Sequence, residues 1–181
     1  MDPGVPVWAL GPYSGPRRGA IIAAKERGRR DLADPIGLAL ARGIVTLRRW
    51  GELPASASLC LAPAPSRPRA ARSRGGDPVL RAVRAAARAV GDGCGVCPAL
   101  SMRRGVRDSV GLSAAARQEN LAGRIRVSAS AQQDLFAAGR APRAVVLIDD
   151  VVTTGATAAE SVRAFATVGV RVAAVLVVAA A

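Results

Sequence analysis

Val145-Val146-Leu147-Ile148-Asp149-Asp150-Val151-Val152-Thr153-Thr154-Gly155-Ala156-Thr157 decides the reading of this chain. Four apolar residues run into two adjacent acids. Thr-Thr-Gly follows, and then an alanine-rich segment. A short continuous apolar run is expected of a parallel strand covered on both faces. Asp149 and Asp150 then fall at its carboxyl end, where open α/β sheets bind ligands. Residues 153–157 bring small side chains and backbone N–H groups to the entry of a helix predicted over 156–168. Gly155 lets the backbone turn and approach a ligand closely. Free N–H groups and the helix dipole favour a phosphate there. Vicinal acids suit two sugar hydroxyls, or the neighbourhood of a Mg²⁺ shell.

Two other readings meet the same residues. An apolar run ending in acids also occurs on the Mg²⁺ side of P-loop nucleoside triphosphatases, which need G-x-x-x-x-G-K-[ST] elsewhere. The only lysine is Lys25, and no such motif exists. An ordinary strand, turn and helix capped by Thr153 or Thr154 is the structural alternative.

The 181 residues fit one domain with its own core. Half the residues are hydrophobic, as expected of a globular chain. The apolar tail over 172–181 is too short to span a bilayer. No charged and then apolar leader opens the chain, so no membrane association and a cytoplasmic location are expected. The net charge of +13 invites a nucleic-acid partner. However, two Trp, one Tyr and two Phe offer little for a base-stacking platform. A positive potential equally suits a ligand carrying several phosphates.

Histidine is absent, which excludes catalysis through Ser-His or Cys-His pairs. Cys60, Cys94 and Cys97 are too few for a structural zinc site, so no zinc is expected. Cys94-Gly95-Val96-Cys97 looks like a helix exit and turn, with reduced thiols.

Strands are predicted over 58–62, 98–102, 124–128, 145–148 and 170–178. Helices are predicted over 16–27, 31–50, 77–90, 113–121, 131–138 and 156–168, with Asp77 capping the third. The alternation predicts an α/β fold with a parallel sheet of about five strands. The whole chain, 1–181, forms one domain. Residues 1–55 are a candidate hood over a ligand-binding core at 56–181.

Two arginine loops join the site candidates. The first leaves the strand at 58–62 and carries Arg67, Arg69, Arg72, Arg74, Gly75 and Gly76. The second carries Arg103, Arg104 and Arg107 and is hinged by Gly105 and Gly111, as a lid would be.

The stretch at 145–157 resembles the phosphoribosyl-pyrophosphate (PRPP) motif of type I phosphoribosyltransferases. A narrower resemblance, over most of residues 13–178, is to the ComF family of phosphoribosyltransferase-like proteins tied to competence and DNA uptake. Its carriers are Tyr13 with Lys25-Glu26-Arg27-Gly28-Arg29-Arg30 and Leu32; Ala62-Pro63-Ala64-Pro65-Ser66; Arg72-Ser73-Arg74-Gly75-Gly76; and Leu112-Ser113 with Arg117-Gln118-Glu119-Asn120-Leu121. The chain lacks the four-cysteine zinc module with which family members open. Gly76-Asp77 stands where they carry an apolar or aromatic residue and Asn.

The resemblance implies a type I phosphoribosyltransferase-like fold and Mg²⁺-dependent transfer of phosphoribose from PRPP to a nucleobase or similar nitrogen. It places Asp149 and Asp150 on the ribose hydroxyls, with Mg²⁺ held indirectly. Val152, Thr153, Thr154, Gly155, Ala156 and Thr157 would take the 5-phosphate. Arg67, Arg72, Arg74 and Gly75 would take pyrophosphate, with Arg103, Arg104, Arg107 and Lys25 as further contacts. The alternative it leaves open is a non-catalytic PRPP-binding or DNA-uptake accessory protein. Nucleic acid, the uptake machinery and a second copy in a homodimer are its other partner candidates.

Overall fold

The computed structural model describes residues 2–55, 58–66, 75–103, 114–135 and 143–181. Its centre is a five-stranded, fully parallel sheet. The strands are β1 (Val7–Ala9), β2 (Ser58–Pro63), β3 (Cys94–Val96), β6 (Arg143–Val152) and β7 (Val172–Ala180). Their spatial order is β1-β7-β6-β2-β3. The short strands β4 (Leu100–Met102) and β5 (Ile125–Val127) pair antiparallel in a separate ribbon.

β6 and β7 are rich in Val, Ile and Leu because both faces of a central parallel strand are covered. The period of two divides their side chains between two cores. Leu59, Leu61, Val146, Ile148, Leu176 and Val178 face one layer, made by α1 (Gly15–Glu26), α2 (Ala33–Arg49) and α3 (Pro78–Val90). Cys60, Ala62, Val145, Leu147, Val175 and Val177 face α6 (Ala156–Ala166) and α5 (Ala129–Leu135). Helix α4 (Ala114–Leu121) packs beside α6. Phe165 of α6 is fully buried in the second core; truncating it to Ala would cost about 3–5 kcal/mol.

The α/β class and the five-stranded parallel sheet are as expected, but two of its strands differ. Residues 98–102 and 124–128 do carry strands, yet these pair with each other in the ribbon. Their places in the sheet are taken by β1 and β3. β3 lies where a turn was expected: Cys94 to Val96 run parallel to Leu59 to Leu61. The candidate hood at 1–55 supplies the edge strand β1 and helices α1 and α2, both packed on the first face. No helix among the described residues is long and apolar enough to cross a membrane.

Connectivity fixes where a ligand would sit. From β2 the chain crosses through α3 to β3, toward one sheet edge. From β6 it crosses through α6 to β7, toward the other, on the opposite face. β2 and β6 are neighbours. The strand order therefore reverses between them, and the crevice at their carboxyl ends is the topological switch point.

Candidate ligand site at the switch point

β2 pairs with β6 only as far as Pro63 opposite Ile148, and Ala64 N–H donates to the Ile148 carbonyl at 2.8 Å. From Asp149 to Val152, β6 has only β7 beside it among the described residues. The acids thus lie inside β6 rather than past its end, but just beyond the end of β2, so they open onto the crevice. Both are half-buried.

Local hydrogen bonds orient the carboxylates. Asp150 N–H donates to Asp149 Oδ1 at 2.8 Å, and Val151 N–H donates to Asp150 Oδ1 at 2.7 Å. Asp150 Oδ2 lies 2.5 Å from Lys25 Nζ, reaching across from α1. The Asp150 side chain is 15% exposed, so this pair is better shielded than a surface ion pair. Burial pushes the Asp149 carboxyl from its ordinary 3.8 up to about 8; the Asp150 charge adds to the rise and Lys25 opposes it. The raised Asp149 carboxyl can donate as well as accept, and the two adjacent side chains match two vicinal hydroxyls.

Val152 ends β6, and Thr153 and Thr154 make the turn. Gly155 takes the N-cap position of α6 with φ 74°, a left-handed conformation that a side chain resists, and no side chain caps it. Thr154 Oγ1 accepts weakly from Ala156 N–H at 3.4 Å. Ala156 and Thr157 form the first helical turn. The six residues read as the phosphate cradle are thus contiguous in space and follow the acids directly.

The first arginine loop is partly visible. Arg67, Arg72 and Arg74, with Arg69, lie outside the described residues. Gly75 sits against Arg30, and a Cβ there would run into that guanidinium. Arg81 reaches the Gly75 carbonyl at 3.4 Å. In the second loop, Arg103 is exposed, and its N–H closes the ribbon on the Arg124 carbonyl at 2.8 Å. Arg104 and Arg107 lie outside the described residues.

Lys25, Arg29, Arg30 and Arg81 line a single cleft with Asp149 and Asp150, over a floor that includes Ile21, Leu40, Val79 and Ile148. Of these cations only Lys25 was named from sequence. Arg29 and Arg30 belong to the Lys25–Arg30 cluster and could have been added with it. Arg81 had its own signal, since it falls one turn after the cap Asp77 on the helix that follows β2. Arg29 is held by Asp31, with contacts of 2.8 and 2.6 Å.

The cysteines stand apart from this cleft. Cys60 and Cys97 are buried, and all three thiols are free of disulfides. Burial pushes the Cys94 thiol up, against a smaller opposing effect of Arg48. That disfavours the thiolate a reactive cysteine needs.

The arrangement joins an oriented acid pair, a helix start open to an anion and a set of cations at one crevice. Comparison with known protein families and with curated proteins finds no match to this chain.

Proposed function

We propose that the switch-point crevice binds PRPP and transfers its phosphoribosyl group to a nitrogen nucleophile, in a type I phosphoribosyltransferase-like fold of the ComF kind. The observation that carries this reading is the placement of Asp149 and Asp150 between the end of β2 and the uncapped start of α6. A 5-phosphate would take the N–H groups at residues 153–157, and the ribose hydroxyls would meet the acids. Pyrophosphate would lie toward Gly75, where Arg30 and Arg81 converge. In the transfer, the bond from ribose C1 to the pyrophosphate oxygen breaks and a bond from the acceptor nitrogen forms. The acceptor's N–H proton leaves to water or to the departing pyrophosphate.

The chain's contribution is position and field. The acid pair favours the positive charge that develops on the sugar ring. The cradle fixes the sugar so that the acceptor attacks a held carbon. Mg²⁺ keeps much of its water and commonly takes one or two carboxylates plus substrate phosphates. Asp149 and Asp150 fit that donor set, directly or through water. When bound, Mg²⁺ would supply charge neutralisation for the pyrophosphate.

A second reading has its own observation. Lys25 places a cation on Asp150, where the charged sugar would need an anion. A protein that binds PRPP without turnover, as a sensor or as an accessory in DNA handling, would tolerate this. Incubation with PRPP, Mg²⁺ and a panel of nucleobases separates the two. Base-dependent release of pyrophosphate supports transfer. Binding with no release for any base supports the accessory role, and no binding at all overturns both.

A further inference from the structure

A second concave surface lies apart from the acids, along the outer side of α2. Its walls are α1, through Pro16, Arg17 and Ala20, and α2, through Pro35, Ala39, Arg42 and Thr46, with Trp50 at the C-cap just past its end. Leu10 and Leu176 lie at its base, and its volume is about 590 Å³. The residues of α2 and its C-cap fall at positions 35, 39, 42, 46 and 50, one stripe at helical spacing. From Pro35 to Trp50 that stripe runs roughly 22 Å along the axis, about four helical turns. Trp50 is 64% exposed at one end and stacks at a tilt on Trp8, with ring centroids 5.9 Å apart. Leu38 and Val45 of α2 are also exposed. Among the described residues nothing covers the groove. Contiguous exposed apolar surface of this kind marks an interaction site.

We infer that this groove receives an acidic amphipathic helix of a partner protein. The lining carries two cations, Arg17 and Arg42, and no acid. Both arginines are exposed, so they form a rim that attracts a negatively charged face while the floor takes its apolar one. A second copy of this chain suits the groove poorly. Two-fold pairing of this face would bring the Arg17 and Arg42 rims of two copies together, between chains of charge +13. Strand addition at the adjoining sheet edge is also opposed. β1 is three residues long and has Pro6 and Pro12 on its flanks. The dimensions and the length of the stripe suit a helix laid beside α2. This inference does not depend on PRPP chemistry.

The chain's two tryptophans both line the groove, so intrinsic emission reports on it directly. The probe is a synthetic, aromatic-free peptide of about four turns, with Leu on one face and Glu on the others. The expected result is a saturable emission change that weakens with salt. A Lys-for-Glu peptide and a scrambled Glu peptide should give none. Arg17→Glu with Arg42→Glu should weaken binding by roughly tenfold or more. Ala39→Glu, a single exchange inside the groove, should do the same and serves if the double variant fails to fold by circular dichroism. The inference is overturned if the acidic peptide does not bind, or if the Lys or scrambled peptide binds as well. It is equally overturned if the emission change follows protein concentration alone, as self-association would give, or is produced by a short oligonucleotide and not by the peptide.

Discussion

Two helices start at the same end of the sheet, one after each strand of the switch point, and they start differently. α3 follows β2, and Asp77 caps it: Oδ1 accepts from Val79 N–H at 2.9 Å and from Leu80 N–H at 3.3 Å. α6 follows β6, and the cap position is Gly155, which has no side chain to give. The first helix spends its terminal donors on its own carboxylate. The second has no side chain at its cap position, and Ala156 N–H makes only a long bond of 3.4 Å to Thr154 Oγ1. An anion brought by a ligand would complete α6 as Asp77 completes α3. The difference makes one helix start a matter of stability and, under the proposed function, the other a matter of binding.

The sharpest break of this comparison removes the acids that precede the open helix. Asp149→Asn with Asp150→Asn should weaken PRPP binding by roughly 30- to 150-fold, from two hydrogen bonds to the ribose hydroxyls at about 1–1.5 kcal/mol each. Isothermal titration with Mg²⁺ present measures it, and unchanged affinity would remove the acids from the site. The single variant Asp149→Asn carries a pH signature in metal-free buffer. The folded carboxyl is raised to about 8, while the unfolded one sits near 3.8. Between those values the unfolded chain binds fewer protons than the folded one, so stability falls as pH rises through the window. Asn cannot ionise, and melting curves of the variant should lose that decline.

Ligand linkage comes next in size. Under the proposed function, PRPP with Mg²⁺ would bind the folded crevice and not the unfolded chain. At a hundredfold excess over its dissociation constant it should stabilise by about 2.7 kcal/mol. For a chain of this length, that is a melting rise of roughly 5–10 °C. Ribose 5-phosphate should raise the melt less, because it engages α6 and the acids but not Gly75, Arg30 and Arg81. Equal shifts for the two ligands would detach the arginines from the site. A shift with short DNA and none with PRPP would favour nucleic acid over the sugar phosphate.

Exchanging the two helix starts tests the contrast itself. Asp77→Ala should cost about 1 kcal/mol of stability and leave PRPP affinity unchanged. Gly155→Ala should cost about 1–2 kcal/mol, because a Cβ resists the left-handed conformation, and should lower PRPP affinity as well. If Asp77→Ala weakened PRPP binding as much as Gly155→Ala, the two starts would not differ in role.

Much of this geometry was legible because local signals agreed with the global fold. The run at 145–148, the Asp77 cap and the helix predicted over 31–50 each pointed to the element that forms. The order of strands was less legible. β1 is three residues between prolines, too short to show a period, and it becomes a strand only because β7 offers it an edge. β3 was hidden by Gly91 and Gly93, which mark the turn before it, while the strand itself borrows its register from β2. The ribbon of β4 and β5 has apolar residues like a sheet strand, and only the tertiary partner distinguishes the two. The site shows the same division. Asp149, Asp150 and residues 152–157 are contiguous, so one motif carried them. Arg29, Arg30 and Arg81 reach the cleft from α3 and from the segment between α1 and α2, and no spacing rule joins them.

α6 does have an anchor, placed beyond its first turn. Glu160 Oε1 accepts from Gly123 N–H at 2.7 Å and from Arg163 Nη2 at 2.6 Å, while Oε2 accepts from Arg163 Nε at 2.9 Å. The contact ties the cradle helix to the turn between α4 and β5. A cap would have fixed α6 at the ligand end; Glu160 fixes it from the side and leaves that end open. Arg163, foremost through its hydrogen bond, together with the Gly123 amide, holds the Glu160 carboxyl below its ordinary 4.5, against burial. A lowered carboxyl adds stability above the unfolded value that is lost as pH falls through the folded one. Glu160→Gln keeps the shape and an acceptor for Gly123 but loses the charge. Because Arg163 is 53% exposed, the cost at neutral pH should stay below about 1 kcal/mol. The gap in melting temperature between the two proteins should be present at pH 7 and should close in acid, once the native Glu160 is protonated. A gap that stays constant from pH 7 into acid would mean that packing, and not charge, holds the side of α6, and PRPP affinity should be unaffected in either case.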